Sequence, residues 1–282
     1  TVTADNQTKV YNGANGSDPA LTFTTNADKL LTSDGVDIAV KREAGNDVGT
    51  YTITASEADS TNYTFTNKPG TFTITPATTT GTVAVNQGDV VYGTGLKPTL
   101  TAAEGSVLKV IDLTADDYQL SSTTKSTSGN YVVGDYTITL TQAGLAMLQN
   151  ANKNYTLTMA NVTPGAFKIT QKPLTITPQG ATKVFGDSDR AYTAKLDGLV
   201  GTDKVDYTVN RADAGTAAGE SVGSHELTVT TTNTGDSSNY KITLATGTLV
   251  ITALALTGTA TVTTKDKTYP LTLIAAIIYP SP

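Results

Sequence analysis

The sequence predicts a mainly β protein with a small helical content, built as an elongated tandem array of small β-sandwich or β-grasp-like modules. Three observations predict it. Apolar and hydroxyl residues alternate in short runs, as in Thr71-Phe72-Thr73-Ile74-Thr75. Threonine supplies 57 of the 282 residues. Four landmarks recur in the same order three times along the chain. A period of two, with rings or branched apolar groups on one side, gives a strand with one buried face. Threonine suits the opposite face, because its branched Cβ favours extended backbone while its hydroxyl stays hydrated.

The first landmark is a ring after a hydrophobic residue: Val10-Tyr11, Val91-Tyr92-Gly93 and Val184-Phe185-Gly186. The second is a Val-Gly pair just before a ring: Val48-Gly49 before Tyr51, Val133-Gly134 before Tyr136, Val222-Gly223 before His225. The third is Asn-Tyr, at Asn62-Tyr63, Asn154-Tyr155 and Asn239-Tyr240. The fourth is a glycine that opens an alternating run, at Gly70, Gly165 and Gly247. These mark three copies, 1–76, 77–171 and 172–253, and the start of a fourth, or a truncated tail, over 254–282. The first ring lies 40 residues before the second in copies one and three and 44 in copy two. Thr257-Gly258-Thr259 precedes Tyr269 as Thr80-Gly81-Thr82 precedes Tyr92. The copies therefore alternate A–B–A–B, as when paired modules duplicate together. Pro76, Pro173 and Pro178 sit at short junctions, which favours semi-rigid joints over floppy ones.

The runs beginning at Tyr51, Gly70 and Tyr136 read as strands, with Gly, Asn, Asp and Ser supplying the turns between them. The segment 141–150 departs from this pattern. Its helix formers place Leu145, Met147 and Leu148 at helical spacing and predict a short helix. A second, weaker helix is expected within 112–117. Rings that recur in matching slots, Tyr11, Tyr51, Tyr63, Tyr92, Tyr136 and Tyr155, are expected in the core.

Composition excludes much chemistry. The net charge of −6, from 19 basic and 25 acidic residues, argues against a phosphate-neutralising surface, so no nucleic-acid partner is expected. The chain has no Cys and one His, which removes thiolate metal sites and leaves little for acid–base catalysis. The N-terminus has neither a basic start nor an apolar core, and without an initiating Met it reads as cut from a longer chain. The apolar stretch 271–278 is interrupted by Thr272 and falls short of the roughly 20 residues that span a bilayer, so no membrane insertion is expected.

Lys172-Pro173 through Pro178, Lys183-Val184-Phe185-Gly186-Asp187, Val222-Gly223, Asn239-Tyr240 and the run from Gly247 together resemble an MBG repeat of the tyrosine–glycine type. Copy two, with the strand from Gly134 and Ala143-Gly144-Leu145-Ala146, resembles the companion MBG variant. Asn12 replaces the expected glycine in copy one, Pro270 replaces it in copy four, and His225 stands in a tyrosine slot. The resemblance implies an extracellular, cell-wall-anchored surface protein of Gram-positive, lactobacillus-like bacteria. It implies a non-catalytic stalk displaying a distal adhesive domain, with neighbouring repeats of the same chain as partners. Two alternatives are direct, weak, multivalent binding to host mucin or other glycans, and an accessory region of a secreted glycan-processing enzyme.

No residue is expected to be catalytic, to bind a cofactor or to ligate a metal, and the ligand-binding residues are unknown. His225 shares its slot with Tyr51 and Tyr136 and reads as a packing ring, so His225→Tyr is expected to be tolerated. Gly93-Thr94-Gly95 lacks the Lys-Ser/Thr of a phosphate loop, and Asp187 and Asp189 fall short of the six or more oxygens calcium takes. Surface adhesins often carry Lys–Asn isopeptide bonds. Lys9 and Lys183 match each other, but Val90 stands there in copy two, and no Lys/Asn/acid trio recurs. Sequons at Asn6, Asn15, Asn62, Asn154 and Asn161 matter only in a eukaryotic source. Tyr118, Tyr131, Tyr192, Tyr207 and Tyr279 lie outside the landmarks and are the less constrained rings.

Overall fold

The computed structural model describes residues 1–26, 36–57 and 62–258. Among the described residues, strand accounts for 43% and helix for 7%, in several curled sheets. The protein is thus a β-rich tandem of small sandwich modules. The described helix is far too short to cross a membrane. The chain divides into two compact units. One holds Thr1–Val90, Gly95–Thr123 and Asp135–Lys168, and the other holds Val91–Thr94, Thr124–Gly134 and the residues from Ile169 onward.

In the first unit, one sheet runs Phe23–Thr25, Val2–Ala4, Asn67–Lys68, and a second runs Gln7–Val10, Gly70–Thr75, Gly49–Glu57, Ile38–Arg42. The N-terminal segment serves both sheets and crosses at Asp5-Asn6, where Asn6 Oδ1 accepts the Thr71 N–H at 2.8 Å. Gln7–Val10 pairs parallel with Gly70–Thr75, with Gln7 opposite Phe72. The alternation expected of Gly70–Thr75 is present: Phe72 and Ile74 are buried, and with Ala4 and Ile53 they form the core beneath Val40 and Tyr51.

The fourth landmark glycine has a steric cause. A Cβ on Gly70 would lie 2.5 Å from the Ala4 carbonyl oxygen, and one on Gly165 would lie 2.1 Å from that of Val85. The crossing segment passes too close for any side chain.

The same unit holds the three strands Thr99–Ala102, Val83–Asn86, Val162–Thr163 and the pair Tyr155–Thr156 with Ala77–Thr78. The strand order Val90–Val91, Gly165–Thr170, Gly134–Leu140, Tyr118–Leu120 completes this part of the chain. Tyr136 is buried and stacks on Phe167 with ring centroids 5.5 Å apart. The helix expected at 141–150 is Gln142–Ala151, started by Thr141, whose hydroxyl accepts the Gly144 N–H. Leu148 anchors it in the core. The helix expected at 112–117 does not form. Asp117 Oδ2 accepts from both the amide and the hydroxyl of Thr114, each at 2.7 Å. That local bonding closes a turn in place of a helical one.

The second unit repeats the first sandwich. One sheet runs Ala194–Asp197, Lys172–Pro178, Tyr240–Leu244, and the other runs Ala181–Val184, Gly247–Thr252, Gly223–Thr231, Tyr207–Arg211. Leu227, Leu249 and Ile251 form its core, and a Cβ on Gly247 would meet the Pro178 carbonyl at 2.6 Å. Because the opening and closing strands pair parallel, the ring landmark lies beside the exit of the chain. Phe185 N–H donates to Thr252 O at 2.8 Å, as Tyr11 N–H does to Thr75 O at 2.9 Å. Of the expected fourth copy, only residues up to 258 are described. Tyr269, Pro270, Tyr279 and the stretch 271–278 lie outside the described residues.

Candidate functional site

The landmark residues converge where one repeat meets the next. In the first unit, the rings of Tyr11 and Tyr155 meet edge to face, 5.5 Å apart at 84°. The Val48 N–H donates to Asn154 Oδ1 at 2.9 Å, and Asn154 Nδ2 donates to Asp47 Oδ1 at 2.8 Å. In the second unit, Tyr92 and Tyr240 meet edge to face, 5.4 Å apart at 79°. The Val133 N–H donates to Asn239 Oδ1, again at 2.9 Å. The first-landmark ring of one copy thus packs on the tyrosine of the next copy's Asn-Tyr. The second-landmark valine is bonded by the adjoining asparagine. Edge-to-face pairing favours the rings, and the amide satisfies a backbone donor that no strand partner reaches.

This corrects the reading of all landmark rings as core. Tyr92 and Tyr136 are buried, but Tyr11, Tyr51, Tyr63 and Tyr155 are half-buried. Tyr11 and Tyr155 are joint residues.

The joint in the second unit carries a charge. Asp203, only 5% exposed, accepts from both the Tyr92 and the Tyr240 hydroxyls at Oδ2 and from the Ser128 N–H at Oδ1. Burial opposes its ionisation, but these donors outweigh burial and hold the carboxyl below its ordinary value. Burial and the neighbouring carboxylate push Tyr92 up to about 12 and raise Tyr240 further. Asp236 braces the same joint, accepting from the amides of Thr127 and Lys204. Nothing in the sequence singles out Asp203, because its role depends on tyrosines far away in the chain.

Each A-type sandwich also encloses an ionic cluster at the Lys9/Lys183 position. Lys9 Nζ lies 2.7 Å from Asp18, and Arg42 Nε lies 2.6 Å from the same carboxylate. The Arg42 bond, then that of Lys9, holds Asp18 low despite burial. Arg42 also lies over the faces of Phe72 and Tyr51, at 4.8 and 5.2 Å. In the other sandwich Lys183 Nζ reaches Asp189 at 2.7 Å and Glu220 at 2.6 Å. The side chain of Arg211 is 1% exposed and lies against Asp189, Asp213 and Glu220. Contact with Lys183 holds Glu220 down at about 2, and Asp189 and Glu220 raise Lys183. Lys183 and Glu220 thus form an ion pair.

His225 belongs to this cluster, so its ring is more than packing. Nε2 faces the Ser221 carbonyl at 2.9 Å and Nδ1 faces an Asp213 carboxylate oxygen at 2.7 Å. Both partners are acceptors, so both contacts are hydrogen bonds when the ring is protonated, and the site favours the imidazolium form. The Nε2 bond reproduces the one that Tyr51 makes from its hydroxyl to Asp47 O at 2.7 Å. Asp213, with help from Ser221, raises the His225 pKa above its ordinary value. A raised histidine adds stability that is fully present below about pH 6.5, its unfolded value, and is lost as pH rises through the folded value. The single imidazole should therefore titrate above 6.5 by NMR, and thermal stability of this sandwich should fall across that titration. His225→Tyr should keep the Ser221 bond and abolish this pH dependence, whereas a midpoint at or below 6.5 contradicts the assignment.

The other candidates fall into structural roles. Tyr192 packs on the core of the second unit and Tyr207 lies beside the backbone of Ala194. Lys125 Nζ stands 4.7 Å over the Tyr131 ring. Tyr118 lines a cleft with Leu96, Pro98 and Ile111. Asp189 is engaged by Lys183 and Arg211, and among the described residues no group of three or more acidic or histidine side chains is placed to hold a metal. A shallow cleft of about 620 Å³ at the joint in the first unit is lined by Tyr11, Asp47, Lys109, Asn150 and Tyr155.

Fold and joints define a class: tandem β-sandwich repeats that bond one to the next through their own landmark residues. The MBG domain of the YGX type matches residues 1–73 and 174–250, and the MBG domain matches 77–171. The chain belongs to the MBG family, whose repeats are generally non-catalytic. No curated protein matches it. Among solved structures, Drosophila N-cadherin EC1-4 is 9% identical, with a TM-score of 0.23 over 90% of this chain and 73% of that one. The fibronectin(III)-like modules of Clostridium thermocellum CbhA are 14% identical, with a TM-score of 0.20 over 76% of this chain and 95% of that one.

Proposed function

We propose that the chain is a semi-rigid, non-catalytic stalk segment of a cell-wall-anchored surface protein of a Gram-positive bacterium, displaying a distal adhesive domain. The observation that carries this reading is the twice-repeated joint, in which one ring pair and one valine–asparagine bond recur with nearly the same geometry. Residues that recur because they fasten neighbours are what a spacer requires. A ligand-binding array would instead repeat exposed rings and amides at a common surface. Of the prolines expected at junctions, Pro173 and Pro178 belong instead to the strand Lys172–Pro178, while Pro76 alone links the strand Gly70–Thr75 to Ala77–Thr78 as a one-residue joint, which supports the same reading.

A second reading, direct weak adhesion to mucin glycans, is favoured by the cleft beside Tyr11 and Tyr155, whose ring, amide and carboxylate lining suits a sugar. The two separate on an immobilised mucin-glycan panel. The stalk reading expects the full chain to show neither retention nor hydrolysis at any surface density. Retention that grows with density and is lost in Tyr155→Ala would establish adhesion through avidity and overturn the stalk reading.

A further inference from the structure

We propose that the end of the third repeat formed by Phe185 and Val222 is a docking surface for the Asn-Tyr turn of a following MBG module. The inference rests on the stalk reading and extends it beyond the described residues. Phe185 occupies the place of Tyr11 and Tyr92, and Val222 that of Val48 and Val133. Where a successor is present, these positions are covered: Tyr92 is 1% exposed, and Tyr11, Val48 and Val133 are half-buried. Phe185 and Val222 are instead 46% and 55% exposed. The Val222 amide has no partner among the described residues, whereas the amides of Val48 and Val133 each donate to an asparagine at 2.9 Å.

The path of the chain gives a second, independent argument. In each copy the ring residue donates its N–H to the last threonine of the closing strand: Tyr11 to Thr75, Tyr92 to Thr170 and Phe185 to Thr252. In the first two copies the next repeat begins within two residues of that threonine, at Ala77 and Lys172. The chain after Thr252 therefore emerges beside the Phe185 ring, where a successor would have to start. The third repeat is A-type, so the joint to be made is the one formed by Tyr11 and Val48. Phe185 would meet a tyrosine ring edge to face, and Val222 N–H would donate to the preceding asparagine. Ser221 stands where Asp47 bonds that asparagine's Nδ2, so the second amide bond would pass to a hydroxyl.

The test extends the chain: residues 1–253 are followed directly by a second copy of residues 77–253, which keeps the one-residue spacing of the two existing joints, and backbone amide exchange is measured by NMR. The Val222 amide should be protected at least tenfold more than in the same extended chain carrying Asn154→Ala in the appended copy only. Equal exchange in the two overturns the proposal. The amides of Val48 and Val133 serve as internal references. If they are protected and Val222 is not, this inference alone fails; if they exchange freely as well, the stalk reading fails with it.

Discussion

Replacing Asp203 with alanine should destabilise the second unit by about 3–5 kcal/mol, as two or more hydrogen bonds to a buried charge are lost together. The carboxylate accepts from the Tyr92 and Tyr240 hydroxyls and from the Ser128 amide, and neither ring is more than 2% exposed. Alanine leaves the Tyr240 hydroxyl and the Ser128 amide without that acceptor, while the Tyr92 hydroxyl keeps only its contact with Ser126 Oγ. Chemical denaturation followed by amide exchange over residues 172–253 reads the loss. A second readout is independent of stability. Tyr92 is held at about 12 by burial first and by Asp203 second, so tyrosinate titration in the folded variant should bring it down toward 10 without reaching it. A loss below 1 kcal/mol with Tyr92 unmoved would mean that the joint is hydrated and the carboxylate incidental. The linkage sign is that of a depressed acid. Asp203 adds stability above about pH 4, and that stability is lost as pH falls through its folded value.

Strand periodicity was legible because it is local. The runs from Gly70, Gly165 and Gly247 alternate in burial as they alternate in sequence. The helix at Gln142–Ala151 was legible for the same reason. What the landmarks do was not legible. A recurring ring looks the same whether it fills its own core, as Tyr136 does on Phe167, or its neighbour's joint, as Tyr11 does on Tyr155. Only the pairing across copies separates the two. The turn at 112–117 was misread because acidic residues that permit a helix also cap turns, and Thr114 supplied the donors. The ionic clusters were half visible. Lys9 and Lys183 match in position, but Arg42 and Arg211 stand at different distances from the rings that follow, so no fixed spacing ties them together. His225 occupies a tyrosine slot, and its second bond, to Asp213, had no counterpart in the other copies to suggest it.

Arg211→Ala should cost about 3–5 kcal/mol, the range for removing one partner from a buried ionic group. Its guanidinium is enclosed by Asp189, Asp213 and Glu220 and donates to the Gly219 carbonyl at 3.0 Å. Three carboxylates then share two cations, Lys183 and His225, and the Gly219 carbonyl loses its donor. The pH profile separates this from a simple loss of packing. In the intact protein Glu220 is held at about 2, by Lys183 first, with Arg211 assisting. It therefore adds stability above its unfolded value near 4.3 that is lost as pH falls toward 2. Without Arg211 that depression shrinks, so the acid limb of the stability profile should become shallower between pH 4.5 and 2.5. The deficit against the parent protein should be largest near neutrality and smaller in acid. Arg211→Met with Glu220→Gln removes a cation and an anion together, and should recover part of the loss by restoring charge balance around Lys183. Urea denaturation at several pH values checks all three. A deficit constant across pH, with no recovery in the double variant, would identify Arg211 as apolar filling between the strands and not as the charge that neutralises the cluster.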